Sequence, residues 1–289
     1  MPMLYSMTGY GKAHTEINGT QYEVEIKSLN SKYFDLQTRL PNGLRQKEMD
    51  FRKMLESGLV RGKITFQITL DASSELTARK LNRNVLQNYL NEINEIFTGL
   101  NQSEIIASLL RHPDIWIQES DEDVESVYKN LIPVVEKAVE EVTVFRKQEG
   151  ESIEKDIRQR LSEIGNYLAR VESLAPVRLE KIEAKLSESI KSIKDQADEN
   201  RFEQELIYYL EKLDINEEII RLKNHLNYFE KTMNGPGVTK GKKLNFIAQE
   251  MGREINTIGS KANDAGIQHL VVQMKDALEK IKEQSGNVL

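Results

Sequence analysis

The densest group of polar side chains in the sequence lies between residues 249 and 264. At 100° of rotation per residue, one face of a helix there gathers, within about 80°, the side chains of Glu250, Arg253, Glu254, Lys261 and Asp264. Side chains four residues apart on a helix come within about 6 Å, so Glu250 and Glu254 could share a divalent cation, with Asp264 further along the face. The alternative is a surface of ordinary charges that solubilise the helix and pair weakly.

Three glycines in the same region also call for a reason. Gly252, Gly259 and Gly266 recur every seven residues, and each costs a helix about 1 kcal/mol relative to alanine. If the helix is continuous, they share a third face that something approaches closely. A partner helix, a nucleic-acid strand and a break near Gly259 all remain open.

The preceding predicted helix, from about Phe202 to Met233 with a restart near residue 214, carries a second polar cluster. Its members lie within about 60° of one another and are Asp214, Glu218, Arg221 and His225. Glu218 is a candidate metal ligand, and His225 could ligate a metal or carry a proton near neutral pH. A packed or surface histidine is the plainer interpretation.

Two further basic regions could bind phosphate. Lys27, Arg39 and Arg61 lie on or beside predicted strands among tyrosines, and such surfaces can hold phosphates and stack unpaired bases. Strand aromatics also serve plain packing, so both interpretations stand. The segment 234–243 is glycine-rich and basic, which indicates either a mobile phosphate-binding finger or a solvated linker.

Composition narrows the chemistry. The 289 residues include no cysteine, which excludes disulfides, thiolate zinc sites, iron–sulfur clusters and cysteine nucleophiles. The four histidines are scattered, so any bound metal should be a hard cation on carboxylates, Mg²⁺ or Mn²⁺. No apolar run approaches the roughly 18 residues of a membrane span, and we expect a cytoplasmic protein without membrane contact.

The elements that position these residues form an α+β chain. A βββαβ unit of three strands, a helix and a fourth strand at 64–70 is predicted for residues 1–80, as a small mixed sheet. A helical arm follows over 81–200, in which Pro133 marks an early turn and Pro176 a break or kink, so we expect two or three long helices. The wide charged faces of the arm helices favour oligomerisation. Residues 201–289 are predicted to form a C-terminal helical region.

Ordered motifs across nearly the whole chain resemble the bacterial YicC family. The N-terminal half carries Ser6 to Lys12, Val24 to Asn30, Arg39 to Pro41 and Leu59 to Lys63, and the C-terminal half carries Ile220 to Leu226, Gln249 to Asp264, Val272 to Lys275 and Glu279 to Gln284. The chain differs from the usual family pattern at Gly252, where asparagine is common, and at Gly266, where glutamate is common.

The resemblance implies a divalent-metal-dependent endoribonuclease that assembles into a ring, a homo-oligomer expected to be a hexamer, and clamps RNA. On that basis Glu250, Glu254 and His225 are the predicted catalytic residues, and the predicted metal ligands are Glu218, Glu250, Glu254 and Asp264. Predicted RNA-binding residues are Lys27, Arg39, Arg61, Arg253 and Lys261. The alternative is an oligomeric RNA-binding or scaffold protein with weak or no nuclease activity.

Overall fold

The computed structural model describes residues 4–70, 81–96, 102–115, 121–191 and 199–289. It divides into two compact units: Gly9–Thr143 forms one, and Met1–Thr8 together with Val144–Leu289 forms the other. We call them the sheet unit and the helical unit. The predicted domain boundary at 80/81 adjoins residues 71–80, which lie outside the described residues. The boundaries at 80/81 and 200/201 therefore stay predictions.

A four-stranded mixed sheet organises the sheet unit. Its strands are β1 (Gly9–Ile17), β2 (Thr20–Leu29), β3 (Phe34–Arg39) and β4 (Gly62–Leu70), in the order β1-β2-β4-β3. β2 pairs antiparallel with β1 and β4, whereas β3 runs parallel to β4 and is joined to it by a 3₁₀ turn at Asn42–Lys47 and the helix α1 (Glu48–Gly58). This is the predicted βββαβ order.

Alternation along the strands buries one face of the sheet. Val24, Ile26, Ile64 and Phe66 are fully buried there, together with apolar residues of α1 and of the helix that follows further along the chain. Gly11 is required by close approach, since a Cβ at that position would lie 2.1 Å from the carbonyl oxygen of Ala138. The opposite face is polar.

The helices of the rest of the chain are long. They are α2 (Arg83–Ile96), α3 (Gln102–Leu109), α4 (Asp121–Lys191), α5 (Glu199–Leu213), α6 (Asn216–Asn234), α7 (Gly241–Ala262) and α8 (Ala265–Gly286). The expectation of two or three helices across α4 is wrong, because one 71-residue helix runs through both Pro133 and Pro176. Each proline removes a single backbone donor. Val135, near Pro133, is buried in the core of the sheet unit, and Val171, before Pro176, in that of the helical unit; such packing can offset the lost hydrogen bonds. The α+β class and the helical content are as predicted.

The core of the helical unit lies where α6, α7 and α8 pack with the second half of α4. Its residues recur at three and four positions, for example Ile247, Met251, Ile255 and Ile258 on α7, all nearly inaccessible. The last turn of α7 ends at Asn263 in the left-handed conformation, with φ 41°. In the described parts of the chain, every helix is too short or too polar to cross a bilayer.

Candidate active site

The seam between α6 and α7 brings together two of the predicted catalytic residues. These helices pack side by side, and His225 Nε2 lies 4.0 Å from Glu254 Oε1. Their side chains are 28% and 12% exposed, so both are partly withdrawn from water yet still reachable. An imidazole facing a carboxylate across a helix seam is a pair that can take up and release a proton.

Glu250 lies one turn before Glu254 on α7 and has its own cation. Arg253 Nη1 lies 2.9 Å from Glu250 Oε1 and 3.3 Å from Oε2, and the Arg253 side chain remains 75% exposed. The guanidinium group therefore holds the carboxylate while most of its donors face solvent. This pair sits beside the His225–Glu254 pair on the same helix face.

Glu218 and Lys261 form the third pair of the seam. The Glu218 side chain is only 6% exposed, and Lys261 Nζ lies 2.8 Å from its Oε1 and 3.2 Å from the carbonyl oxygen of Asp214. The contacts of Lys261 therefore indicate that its ammonium group neutralises the buried Glu218 carboxylate. Arg221 of the predicted cluster pairs instead with Glu217, 2.5 Å away on the outside of α6.

Sequence reasoning missed Arg178, which comes from α4 and is 4% exposed. Its guanidinium nitrogens donate to the carbonyl oxygen of Leu213, at 3.1 Å, and to that of Lys261, at 2.8 Å. It thus ties the end of α5 to the end of α7. Burial lowers the Arg178 pKa, while Asp264 and Asp214 oppose that shift. Only its position beside Pro176 in an apolar repeat could have drawn attention to it.

Asp264 does not continue the polar face of α7. The helix stops at Asn263, and Asp264 caps α8 by accepting a hydrogen bond from the Ile267 amide at 3.0 Å. The expectation that Asp264 lies further along the helix face of Glu250 and Glu254 is therefore wrong. An asparagine that adopts the left-handed conformation and an aspartate that caps the next helix together explain the break.

The glycines face helix α8 rather than open space. A Cβ at Gly252 would lie 3.2 Å from Leu278 Cδ2, and one at Gly259 would lie 3.0 Å from Val271 Cγ1. Close packing of two helices is the explanation that these contacts support. Gly266 belongs to α8, beyond the break, and so is not part of the α7 face.

A divalent cation fits only part of the predicted ligand set. Within the described ranges, no three histidine or carboxylate side chains converge as a metal cluster would. Lys261 pairs with the buried Glu218, and Asp264 caps α8. Glu250 is also paired, but its partner Arg253 is largely exposed and can turn away, so Glu250 and Glu254, one turn apart on α7, fit a cation best. Mg²⁺ commonly binds through one or two carboxylates and completes its shell with water and substrate phosphate.

The predicted RNA-binding residues of the N-terminal region lie in the sheet unit. Lys27 stands on the polar face of β2, 2.8 Å from Glu25, with its Nζ 5.9 Å from the centre of the Tyr10 ring. The Lys27 contact holds the pKa of Glu25 below its ordinary value. Arg39 is exposed at the end of β3 and lines an open groove of about 800 Å³. Arg61 is half-buried, and that burial lowers its pKa.

Comparisons with known proteins cover almost the whole chain. The family model described as endoribonuclease YicC-like, N-terminal region, matches residues 4–155, and the one described as endoribonuclease YicC-like, C-terminal, matches residues 171–289. A protein of Clostridioides difficile (strain 630) named probable endoribonuclease YicC is 32% identical over 293 residues, which cover 99% of this chain and all of that protein. Its namesake in Haemophilus influenzae (strain Rd) is 28% identical over 288 residues, with 99% and 100% coverage.

Proposed function

Because the chain belongs to the YicC-like endoribonuclease family, we propose that it cleaves RNA internally and that the α6–α7 seam is the place of cleavage. The names of the relatives from Clostridioides difficile and Haemophilus influenzae support the activity. The location is supported by the seam itself. It holds the family's C-terminal signature and groups His225, Glu254 and Glu250 on two packed helices.

The observation that carries the proposal is the His225–Glu254 pair. Nε2 of His225 faces the carboxylate at 4.0 Å, which leaves Nδ1 for the substrate. When Nδ1 accepts a proton from an attacking hydroxyl group, an imidazolium forms beside the Glu254 carboxylate, and the negative charge stabilises it. The same histidine can then return the proton to the departing ribose oxygen. The attacking group is either water or the 2′-hydroxyl of the RNA.

We extend the proposal to a divalent cation, Mg²⁺ or Mn²⁺. Glu250 and Glu254 would hold it, and when bound it would stabilise the negative charge that develops on the phosphate. Glu250 can do so only if Arg253 shifts toward the RNA, and its largely exposed guanidinium group is free to move that way. Arg253 then binds a phosphate oxygen of the strand.

RNA binding away from the cut is assigned to Lys27, Arg39 and Arg61 of the sheet unit. They supply phosphate contacts, and the exposed Tyr10 and Tyr33 rings beside them offer stacking surfaces. Lys261 is the weakest member of the predicted set, since its ammonium group is already paired with Glu218. Assembly into a ring of identical copies remains part of the proposal.

Conservative amide variants test the assignment. We expect His225→Gln and Glu254→Gln each to slow cleavage of labelled RNA by roughly 100-fold to 10,000-fold, the range for loss of a general acid–base group. The double variant should be little worse than either single variant, because the two side chains act as one unit. Single-turnover cleavage with Mn²⁺, and again with EDTA, provides the measurement.

Matched controls come from α8. His269→Gln and Glu279→Gln make the same chemical changes at exposed positions, and both should cut at the wild-type rate. Circular dichroism shows whether each variant is folded. Folded His225→Gln and Glu254→Gln proteins that cut as fast as wild type would remove the seam as the catalytic site.

One set of contacts favours the second candidate, an oligomeric RNA-binding protein without cleavage. Arg253 pairs with Glu250, and Lys261 pairs with Glu218, as charged side chains of a structural seam would. In that case wild-type protein binds RNA but leaves it intact at every metal concentration. The same cleavage experiment therefore separates the two candidates.

A further inference from the structure

A cavity lies at the other end of the α6–α7 seam, where α6 ends and α7 begins. Its volume is about 270 Å³, close to the small end of the range for ligand pockets. Its lining combines one aromatic ring, three lysines, two threonines and a Gly-Pro turn: Tyr228, Lys231, Thr232, Gly235, Pro236, Thr239, Lys240 and Lys243. Three of its lining residues lie on α6 and the other five in the basic segment 234–243. No part of the proposed cleavage reaction uses the cavity.

Contacts hold this segment in place. Lys240 is 5% exposed, and its Nζ donates to the carbonyl oxygen of Met233 at 2.8 Å. Gly241 packs so closely on the C-terminal residues that a Cβ there would lie 2.1 Å from the carbonyl oxygen of Val288. Asn234 accepts a hydrogen bond from Arg158 of α4 at 2.5 Å. These anchors shape a pocket from residues whose composition indicated a mobile finger.

Two lysines of the pocket have no carboxylate partner among the described residues. Along the described ranges, neither Lys231 nor Lys243 forms an ion pair, and Lys243 Nζ lies 4.9 Å from the centre of the Tyr228 ring. The acidic side chain that acts on Lys240 is Glu154, which Arg158 already pairs at 2.7 Å. Elsewhere on the seam, Arg253 and Lys261 are both matched by glutamates.

Position links the pocket to the His225–Glu254 pair. Thr232 follows His225 by seven residues, which places the two on nearly the same face of α6 and about 10 Å apart along its axis. The Thr232 hydroxyl is buried in the pocket wall and has no hydrogen-bond partner among the described residues. Polar groups left without a partner are uncommon inside proteins, and an entering acceptor would supply one.

We propose that this pocket is a nucleotide subsite: Lys231 and Lys243 hold a phosphodiester of a single RNA strand, and the Tyr228 ring packs on the adjoining base. The strand runs along the seam, so one nucleotide is fixed about 10 Å along α6 from the pair that does the cutting. The assignment rests on the proposed function for the identity of the polymer. The underlying chemistry is recognition of a phosphate oxyanion by two lysines beside an aromatic ring.

Three features favour an RNA strand over other anions. The pocket lies on the seam that carries the proposed cleavage pair, so one strand can occupy both. An aromatic ring beside the lysines adds a stacking surface, which inorganic phosphate cannot use. The volume suits a single nucleotide unit rather than a folded partner.

The test is a binding measurement in EDTA, where cleavage plays no part. Labelled single-stranded RNA is titrated with full-length wild type and with the Lys231→Gln, Lys243→Gln double variant, at several salt concentrations, by fluorescence anisotropy. We expect the double variant to bind roughly tenfold more weakly at low salt, with a salt slope shallower by about 1.4, the value for two lost contacts to a single strand. Tyr228→Leu should also weaken binding, whereas Tyr228→Phe, which keeps the ring, should not.

A control pair makes the same charge change elsewhere in the helical unit. Lys181→Gln with Lys275→Gln removes two exposed lysines and should leave both affinity and slope near wild type. Equal binding by the pocket variant and wild type overturns the subsite and leaves the proposed function standing. Wild type that binds no RNA overturns both. If inorganic phosphate binds wild type but not the pocket variant while RNA affinity is unchanged, the pocket is a small-anion site and the proposal is wrong.

Discussion

At the scale of single residues, the acidic side chains of the seam differ in the partner that each one faces. Glu218 is buried and is paired with Lys261, whereas Glu254 is partly buried and faces His225. A lysine in an ion pair keeps its positive charge, whereas a histidine can gain and lose a proton during a reaction. This difference, rather than the number of acidic residues, is why we propose His225–Glu254 as the reactive pair.

Substitutions of Asp264 distinguish its role as a helix N-cap from its predicted role as a metal ligand. We expect Asp264→Ala to destabilise the protein by about 1 kcal/mol, the usual cost of losing an N-cap, and Asp264→Ser to cost only a few tenths, because serine also caps. Thermal unfolding measures both. The Mn²⁺ dependence of RNA cleavage should be unchanged in the serine variant, since the carboxylate is used by the Ile267 amide. A serine variant that is stable but needs far more Mn²⁺ would restore Asp264 to the metal ligands.

At the scale of elements, two glycines of α4 differ in how closely other residues approach them. A Cβ at Gly150 would lie 2.0 Å from the Leu4 carbonyl oxygen. Residues 4–8 pack on the helix there, and the Ser6 amide donates a hydrogen bond to the Arg146 carbonyl oxygen. A Cβ at Gly165 meets nothing within 4 Å. Gly150→Ala should therefore destabilise the helical unit by about 1–2 kcal/mol, as overpacking outweighs helix propensity.

Gly165→Ala makes the same change in the same helix and serves as the control. It should stabilise the protein by about 0.5–1 kcal/mol, because alanine favours the helix and no clash opposes it. Differential scanning calorimetry compares the two variants with wild type. Equal rises in melting temperature for both would mean that residues 4–8 do not pack on α4 as described.

The same elements show how far sequence reasoning reaches. Period-two alternation at Val24 and Ile26 predicted a strand, because a sheet with one buried face imposes that pattern locally. The 71-residue α4 was not predicted, because Pro176 is a local signal and the packing that sustains the helix is not. The end of α7 was also missed, since it depends on the left-handed backbone of Asn263.

The candidate site was also predictable from the sequence only in part. Helical periodicity placed Glu250 and Glu254 together on α7, and it placed Glu218 and His225 together on α6. Which side chain meets which across the seam depends on the register of two packed helices. That register is set by core residues such as Leu222 and Met251, so the pairing of His225 with Glu254 emerges only from the fold.

At the scale of the whole molecule, α5 leaves a conspicuous apolar surface. Ile207, Tyr208 and Tyr209 of this helix are each more than half exposed. Exposed apolar groups of this size commonly mark contacts between proteins. They support the proposal that copies of this chain associate, independently of the polar seam.

The two surfaces make opposite predictions for assembly, which native mass spectrometry can separate. If six 33.3-kDa chains form a ring through α5, Tyr208→Asp with Tyr209→Asp should reduce the mass to that of smaller species, because each carboxylate would be desolvated at the contact. The Glu250→Gln, Glu254→Gln double variant should keep the wild-type mass and lose cleavage, since its changes lie in the seam. If instead the glutamine variant falls to monomer while the aspartate variant stays a ring, the α7 face is the assembly surface and the catalytic groups must be sought in another part of the protein.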